Sequence, residues 1–149
     1  MASPHIAHNS KNGSHEMSGR LVLIHASIGL VPIALSYGLV PSISVSYLLG
    51  FAVEGTNETH VFRAIMGLYL ANVAFWVAGA AIPSFTLPAL WSLLLFMGGL
   101  AAGRVVSLII DGMPSFVLIF YLLAEIAFAL LALMAIRKSS LNNQGQAQA

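Results

Sequence analysis

The amino-acid sequence predicts an all-α protein, an integral membrane four-helix bundle. Hydrophobic residues make up 58% of its 149 residues and charged residues only 7%, whereas soluble domains carry about 25% charged residues. The chain contains four apolar runs, each long enough to cross a bilayer, which takes about 20 residues. Two of these runs carry a charge near the middle, Arg104 and Glu125. Such a charge normally faces the protein interior and has a partner, so the sequence also predicts a buried polar site.

The first predicted span covers residues 21–40, contains no formal charge and ends before Pro41. Pro32 should kink it, which membrane helices tolerate when neighbouring groups satisfy the freed carbonyl. The connection over residues 41–60 begins with alternating Ser and apolar residues and then becomes apolar over residues 47–53. That apolar stretch is too short to span. We expect a helix that lies on the surface or re-enters the membrane, with a short strand as the alternative.

Proline and turn signals bound the other three spans. Pro83 closes the second span, and Pro88 suits the first turn of the third. The third span ends at the sequence Asp-Gly-Met-Pro over residues 111–114, which is a strong turn signal. The fourth span ends before the basic pair Arg137 and Lys138. The predicted bounds of these spans are 62–82, 88–110 and 114–136.

The two ends of the chain are polar. Residues 1–18 are rich in Ser, Asn and His and lack the apolar region of a signal peptide. We expect a disordered N-terminal tail over residues 1–18, a transmembrane domain over residues 19–138 and a disordered C-terminal tail over residues 139–149.

The charges that flank the spans predict the orientation. Lys11 and Arg20 precede the first span, and Arg137 and Lys138 follow the fourth. The positive-inside rule then places both termini in the cytoplasm of a multi-pass protein of the inner (plasma) membrane. The connections after the first and third spans face outward and carry the acidic residues Glu54, Glu58 and Asp111.

The two charges inside the spans should meet. Arg104 lies seven residues before Asp111, roughly 10 Å below the outer turn at a rise of about 1.5 Å per residue. Glu125 lies eleven residues after Pro114, roughly 16 Å below the same turn. The third and fourth spans are antiparallel neighbours, and a long arginine side chain bridges such a difference in depth. We therefore predict an Arg104–Glu125 contact.

A second ion pair is expected nearer the outer surface, between Arg63 and Asp111. Tyrosine, serine and asparagine side chains at neighbouring levels can complete the hydrogen bonds, Asn72 among them. The predicted polar cluster opens toward the outer side and consists of Arg63, Tyr69, Arg104, Ser107, Asp111, Tyr121 and Glu125. Ion pairs in membrane bundles can also serve only to hold helices in register.

The small residues of the third span should favour close packing. Gly99 and Gly103 form a G-x-x-x-G, with Gly98 beside them. This spacing lets a neighbouring helix backbone approach closely. We expect a helix to pack there and to shelter Arg104.

Several chemistries are not expected. The chain has no cysteine, which excludes disulfides and thiolate ligands. A net charge of +1 gives no basic surface for nucleic acid. Neither a metalloprotease, P-loop, serine-hydrolase nor dinucleotide motif occurs, and the spans contain a single histidine, His25. We expect no cofactor, no metal and no catalytic residue.

The polar positions resemble those of a known family. Segments 62–79, 103–115 and 122–128 are similar to a bacterial four-helix membrane-protein family catalogued as domain of unknown function 4345, and more loosely to DoxX-like proteins. The likeness covers roughly residues 20–138 and implies a small four-helix bundle without an established activity. The matching positions are Arg63, Gly67, Tyr69, Gly103, Arg104, Ser107, Asp111, Gly112, Pro114 and Glu125.

Three functions are considered. The favoured one is not enzymatic: in the lipid bilayer, the cluster binds a small or lipidic molecule or a partner subunit, a second copy of the chain included. Arg104 would contact an anionic or carbonyl group, and Glu125 would balance its charge. The second is an intramembrane enzyme, an isomerase or redox accessory, with Glu125 as acid or base; the adjacent arginine opposes this by stabilising the ionised carboxyl. The third is proton or ion transport, for which His25 and Ser27 offer little polar path.

Overall fold

The computed structural model describes the backbone of residues 4–147 and the side chains of residues 18–140. Within these ranges the chain forms five α-helices and no strand. Four segments are long and apolar enough to cross a membrane, namely Ser18–Gly38, Thr56–Ala81, Pro83–Ile110 and Phe116–Ser140. This confirms the predicted all-α class with four spans. The helices are α1 (Pro4–Gly38), α2 (Pro41–Leu49), α3 (Thr56–Ala81), α4 (Pro83–Ile110) and α5 (Phe116–Ala147).

The four long helices pack around a core that α1, α3 and α4 share most closely. The α1–α3, α4–α5 and α3–α4 contacts are extensive, whereas the α1–α5 contact is smaller. Leu23, Trp76 and Leu93 are fully buried at the centre. Large apolar side chains also cover the outside of the bundle, Leu95, Ile109 and Leu123 among them. An apolar exterior is what a membrane-spanning bundle requires, because lipid replaces water around it.

The short helix α2 lies earlier in the connection than the sequence suggested. It begins at Pro41, buries Val45 and ends at Leu49. The next residue is Gly50, whose φ of 78° is left-handed and therefore favours glycine. The Ser/apolar alternation is thus helical, and the strand alternative is wrong. An apolar run this short is compatible with the hydrophobic periodicity of a helix and with that of a strand. The Ser44 hydroxyl lies against the carbonyl oxygens of Ser36 and Val40, which ties the start of α2 to the end of α1.

Two prolines act differently from the prediction. Pro83 begins α4 rather than only closing α3, because a first-turn proline needs no N–H partner. Ile82 before it is extended (φ −112°, ψ 114°) and separates the two helices, as a residue before proline prefers. Pro88 consequently lies inside α4 instead of in its first turn. Pro32 lies inside α1, as expected.

Helices α1 and α5 extend beyond the predicted spans, and the disordered tails expected over residues 1–18 and 139–149 stay a prediction. The backbone of α1 begins at Pro4, and that of α5 ends at Ala147. Most of residues 1–18 and 139–149 are therefore helical in backbone. Extending an existing helix fixes one residue for each hydrogen bond gained, whereas starting a helix is costly, so a spanning helix readily continues into a polar flank.

Candidate functional site

The central feature of the site is the ion pair between α4 and α5. Nε of Arg104 donates to both Oε1 and Oε2 of Glu125, at 2.9 Å each. The predicted contact is therefore present. The Glu125 side chain is 8% exposed and that of Arg104 22% exposed. The hairpin that brings them together turns at residues 111–115, where Gly112 takes a φ of 92°.

Tyrosine rings surround the guanidinium. The Tyr121 ring centre lies 5.6 Å from Cζ of Arg104, a distance at which the ring face attracts a cation. Tyr37, from the end of α1, lies close to the Arg104 guanidinium. Tyr69 of α3 is buried and meets Tyr37 edge to face, with ring centres 5.8 Å apart. Tyr37 was missing from the predicted cluster, whereas Tyr69 and Tyr121 were in it.

A cavity of about 210 Å³ adjoins the pair. Arg104 and Glu125 are the only charged residues in its wall, and Tyr69 and Tyr121 contribute their rings. The exposed lining residues are Gly29 of α1 and Phe120 of α5, which places the mouth between these two helices. The rest of the wall is apolar and includes Ala26, Leu30, Ile33, Leu100, Ala124 and Phe128.

A smaller void of about 50 Å³ lies on the side of Arg104 nearer the α4–α5 turn. Ser107, Leu118 and Leu122 are among its lining residues. Arg104 thus lines two spaces, and only the larger one is bordered by Glu125 as well.

The predicted Arg63–Asp111 pair does not form. Over residues 18–140, Arg104–Glu125 is the only Lys or Arg salt bridge to a carboxylate. Asp111 is exposed and accepts a hydrogen bond of 2.7 Å from the Ser107 hydroxyl one turn earlier. Arg63 is exposed on the first turns of α3. At a wet surface such a pair contributes little, so no strong force draws the two side chains together.

Asn72 belongs to another polar group. The Ser92 hydroxyl donates to Oδ1 of Asn72 at 3.2 Å, and Nε1 of Trp76 donates to the Ser92 hydroxyl at 3.4 Å. This group joins α3 to α4 away from the ion pair. The expectation that Asn72 completes the charged cluster is wrong.

The prediction that a helix of this chain packs against the α4 glycines is also wrong. A Cβ added to Gly98, Gly99 or Gly103 would meet no atom within 4 Å. The close approach occurs instead at Gly79 of α3, where an added Cβ would collide with Ala89 and lie 3.2 Å from Leu23 Cδ1. Arg104 is therefore sheltered by α1 and α5, and the G-x-x-x-G face points away from the bundle.

Two polar side chains of α1 bond to their own helix. The His25 Nδ1 atom lies 2.7 Å from the Leu21 carbonyl oxygen, and the Ser27 hydroxyl donates to that of Leu23 at 2.8 Å. In the segment with described side chains, no three His, Cys, Asp or Glu residues are placed to hold a metal ion.

The fold and the pair together define a class: a four-span helical membrane protein with one ion pair buried between its last two helices. A family model described as "Domain of unknown function (DUF4345)" matches residues 18–136, and the chain belongs to that family. The match reaches into all four spans and includes both residues of the pair, which confirms the resemblance to this family. The looser likeness to DoxX-like proteins stays a prediction. Comparisons with curated proteins and with solved structures gave no match.

Proposed function

We propose that this protein binds a small lipidic molecule in the cavity beside Arg104 and Glu125. The observation that carries the proposal is a charged pair in the wall of an otherwise apolar cavity whose mouth lies between two membrane-spanning helices. Apolar pockets with a few convergent polar groups are the usual form of small-molecule sites. Ion pairs inside a membrane also mark functional positions by default.

The hydrogen bonds of the pair favour binding over a purely structural role. Both bonds to Glu125 come from Nε of Arg104, so the Nη groups are not used on that carboxylate. A pair that served only to hold helices would be best packed on every side, because a void adjoining it forfeits contacts. Arg104 instead keeps 22% of its side chain exposed and borders the cavity.

The same geometry argues against an acid–base enzyme. Both Glu125 oxygens accept from the guanidinium, so neither oxygen is free to take a proton from a substrate unless the pair opens. Transport has no comparable support, since His25 and Ser27 are bonded to their own helix.

Native mass spectrometry of protein extracted gently from membranes tests the proposal. We expect a retained small molecule, identified by lipid extraction. Gly29→Leu should reduce retention at least tenfold, because Gly29 lines the mouth and an added Cβ meets nothing within 4 Å. Gly99→Leu is the matched control, a glycine with equally open surroundings outside the cavity wall.

Protein that carries no molecule, or equal retention in the two leucine variants, would contradict the proposal. Arg104→Ala, where it remains folded, should also lose the molecule.

We further propose that the protein lies in the inner (plasma) membrane with both termini in the cytoplasm. The support is the distribution of basic residues at the ends of the spans: Arg20 lies near the start of the first, and Arg137 and Lys138 lie near the end of the last.

A further inference from the structure

The cavity wall is electrically balanced. Arg104 carries the only positive charge and Glu125 the only negative charge in the wall, and the two are joined by two hydrogen bonds of 2.9 Å. An anion that entered would leave one uncompensated negative charge in an apolar surrounding at membrane depth. Such a charge is strongly disfavoured. The balance therefore excludes a strong preference for anions.

Arg104 contributes hydrogen-bond donors to the cavity wall. A guanidinium has five N–H donors and no acceptor, and only Nε is used on Glu125. The carboxylate, which is the strongest acceptor, already has both oxygens engaged. A ligand that presents an acceptor to the Nη groups would gain hydrogen bonds without displacing the pair. Carbonyl and ether oxygens meet this requirement.

The dimensions limit the part of a ligand that enters. An apolar cavity of roughly 150 Å³ takes a benzene molecule, and this one measures about 210 Å³. It therefore holds one ring or a chain of several carbons with a head group. The mouth lies beside Gly29 and Phe120, at membrane depth, so a longer tail can remain among the lipids.

We infer that the ligand is electrically neutral: an apolar molecule whose head carries a carbonyl-type acceptor for Arg104, while Glu125 cancels the arginine's charge. This inference rests on the proposed function and adds the chemical class of the ligand. Glu125 accordingly determines specificity, because it makes the site prefer a neutral carbonyl to a carboxylate.

A matched set of three probes tests the inference: methyl octanoate, octanoate and nonane. They are similar in length, with eight or nine carbons, and differ in the head, which is a neutral acceptor, an anion and no polar group, respectively. Binding to the full chain in detergent is measured at alkaline pH, where octanoic acid is ionised, by native mass spectrometry. Partition into empty micelles is subtracted. We expect methyl octanoate to bind roughly a hundredfold more tightly than octanoate, given the cost of an unpaired intramembrane charge.

Glu125→Gln provides the second measurement. It keeps the shape of the side chain and leaves Arg104 as an uncompensated cation, so octanoate should then bind better than methyl octanoate. Gly29→Leu should weaken all three probes in either background.

The outcomes separate the inference from the proposed function. If no probe binds, the proposed function itself is wrong. Octanoate binding as tightly as the ester to the wild type would keep the site but overturn the neutral class. Binding of nonane as tight as that of methyl octanoate would overturn the role of Arg104 as a hydrogen-bond donor to the ligand. The wild-type measurements decide these points even if Glu125→Gln does not fold.

Discussion

At the scale of single residues, the Arg104–Glu125 pair links stability to the site. Each charge costs about 2.5–3.5 kcal/mol at the centre of a spanning helix on insertion scales, so neither residue is tolerable there without the other. Nε of Arg104 is bonded to both carboxylate oxygens. Disruption of this pair should therefore lower the stability of the protein more, for each atom removed, than changes elsewhere in the bundle.

Removal of one partner should be far more harmful than removal of both. We expect Arg104→Ala or Glu125→Ala to lower the free energy of unfolding by about 3–5 kcal/mol, because each leaves an uncompensated buried charge. Replacement of both residues by leucine should lower the free energy of unfolding much less, since exchanging a buried ion pair for apolar residues often leaves stability nearly unchanged. Unfolding in bicelles, followed by steric trapping, measures these differences.

Arg63→Ala is the control for this comparison of single and double variants. Arg63 is exposed, so its loss should change the free energy of unfolding by no more than about 0.5 kcal/mol. Single variants as stable as the double variant would show that the pair is not energetically coupled. A stable double-leucine protein should in addition lose the preference for methyl octanoate over nonane, which separates folding from recognition.

The sequence located the strongest contact of the site but not its surroundings. Arg104 and Glu125 are joined by a tight hairpin, so helical rise alone sets their relative depth. Tyr37 was missed because α1 reaches α4 only through packing of the whole bundle, which no local pattern encodes. A single tyrosine near the outer end of the first span was the available signal. The Arg63–Asp111 pair was wrong because side chains that reach the surface are not forced to pair.

At the scale of helices, Gly79 permits the closest approach of α3 to α4. An added Cβ would collide with Ala89, lie 3.1 Å from the carbonyl oxygen of Phe85 and 3.2 Å from Leu23 Cδ1. The short link at Ile82 leaves these helices no freedom to separate at this end. Small residues at helix crossings allow this kind of contact in membranes.

Gly79→Ala should therefore destabilise the protein by about 1–3 kcal/mol, the usual range for overpacking. Gly99→Ala is the matched change on α4, where nothing lies within 4 Å of the added Cβ. It should be neutral or gain up to about 1 kcal/mol from helix propensity. The same unfolding measurement applies to both. A larger loss at Gly99 than at Gly79 would contradict this assignment of the close contact.

The number and approximate positions of the helices were predictable, because composition determines them. The residues at which the helices begin were not, because they depend on local backbone geometry. Four apolar runs gave four spans, but Pro83 and Pro88 each fit a first turn. Only the extended backbone at Ile82 settles that α4 begins at Pro83. The G-x-x-x-G of α4 has the right spacing for packing, yet the contact formed at Gly79 because α1 and α4 both meet α3 there. Spacing identifies a face and does not say which neighbour covers it.

At the scale of the whole molecule, the basic and acidic residues near the ends of the spans are unequally distributed between the two ends of the bundle. Arg20, Arg137 and Lys138 lie at the end that contains both termini. The exposed acidic residues at the other end are Glu54 and Asp111 in the connections and Glu58 in the first turn of α3, and Arg63 is a basic residue at that end. Basic residues near span ends are retained on the cytoplasmic side, so this asymmetry predicts a single orientation.

Because the chain has no cysteine, single introduced cysteines can report that orientation. Met113→Cys lies in the α4–α5 turn, where Met113 is 84% exposed, and should react with a membrane-impermeant maleimide in intact spheroplasts. Ser140→Cys, at the opposite end and also exposed, should react only after the membrane is disrupted, because it follows the basic pair that anchors the cytoplasmic side. Replacement of Arg137 and Lys138 by glutamine, together with an arginine at Ser115, should give a mixed population labelled at both positions. Labelling of Ser140→Cys alone in intact spheroplasts of the otherwise unchanged protein would reverse the assigned orientation.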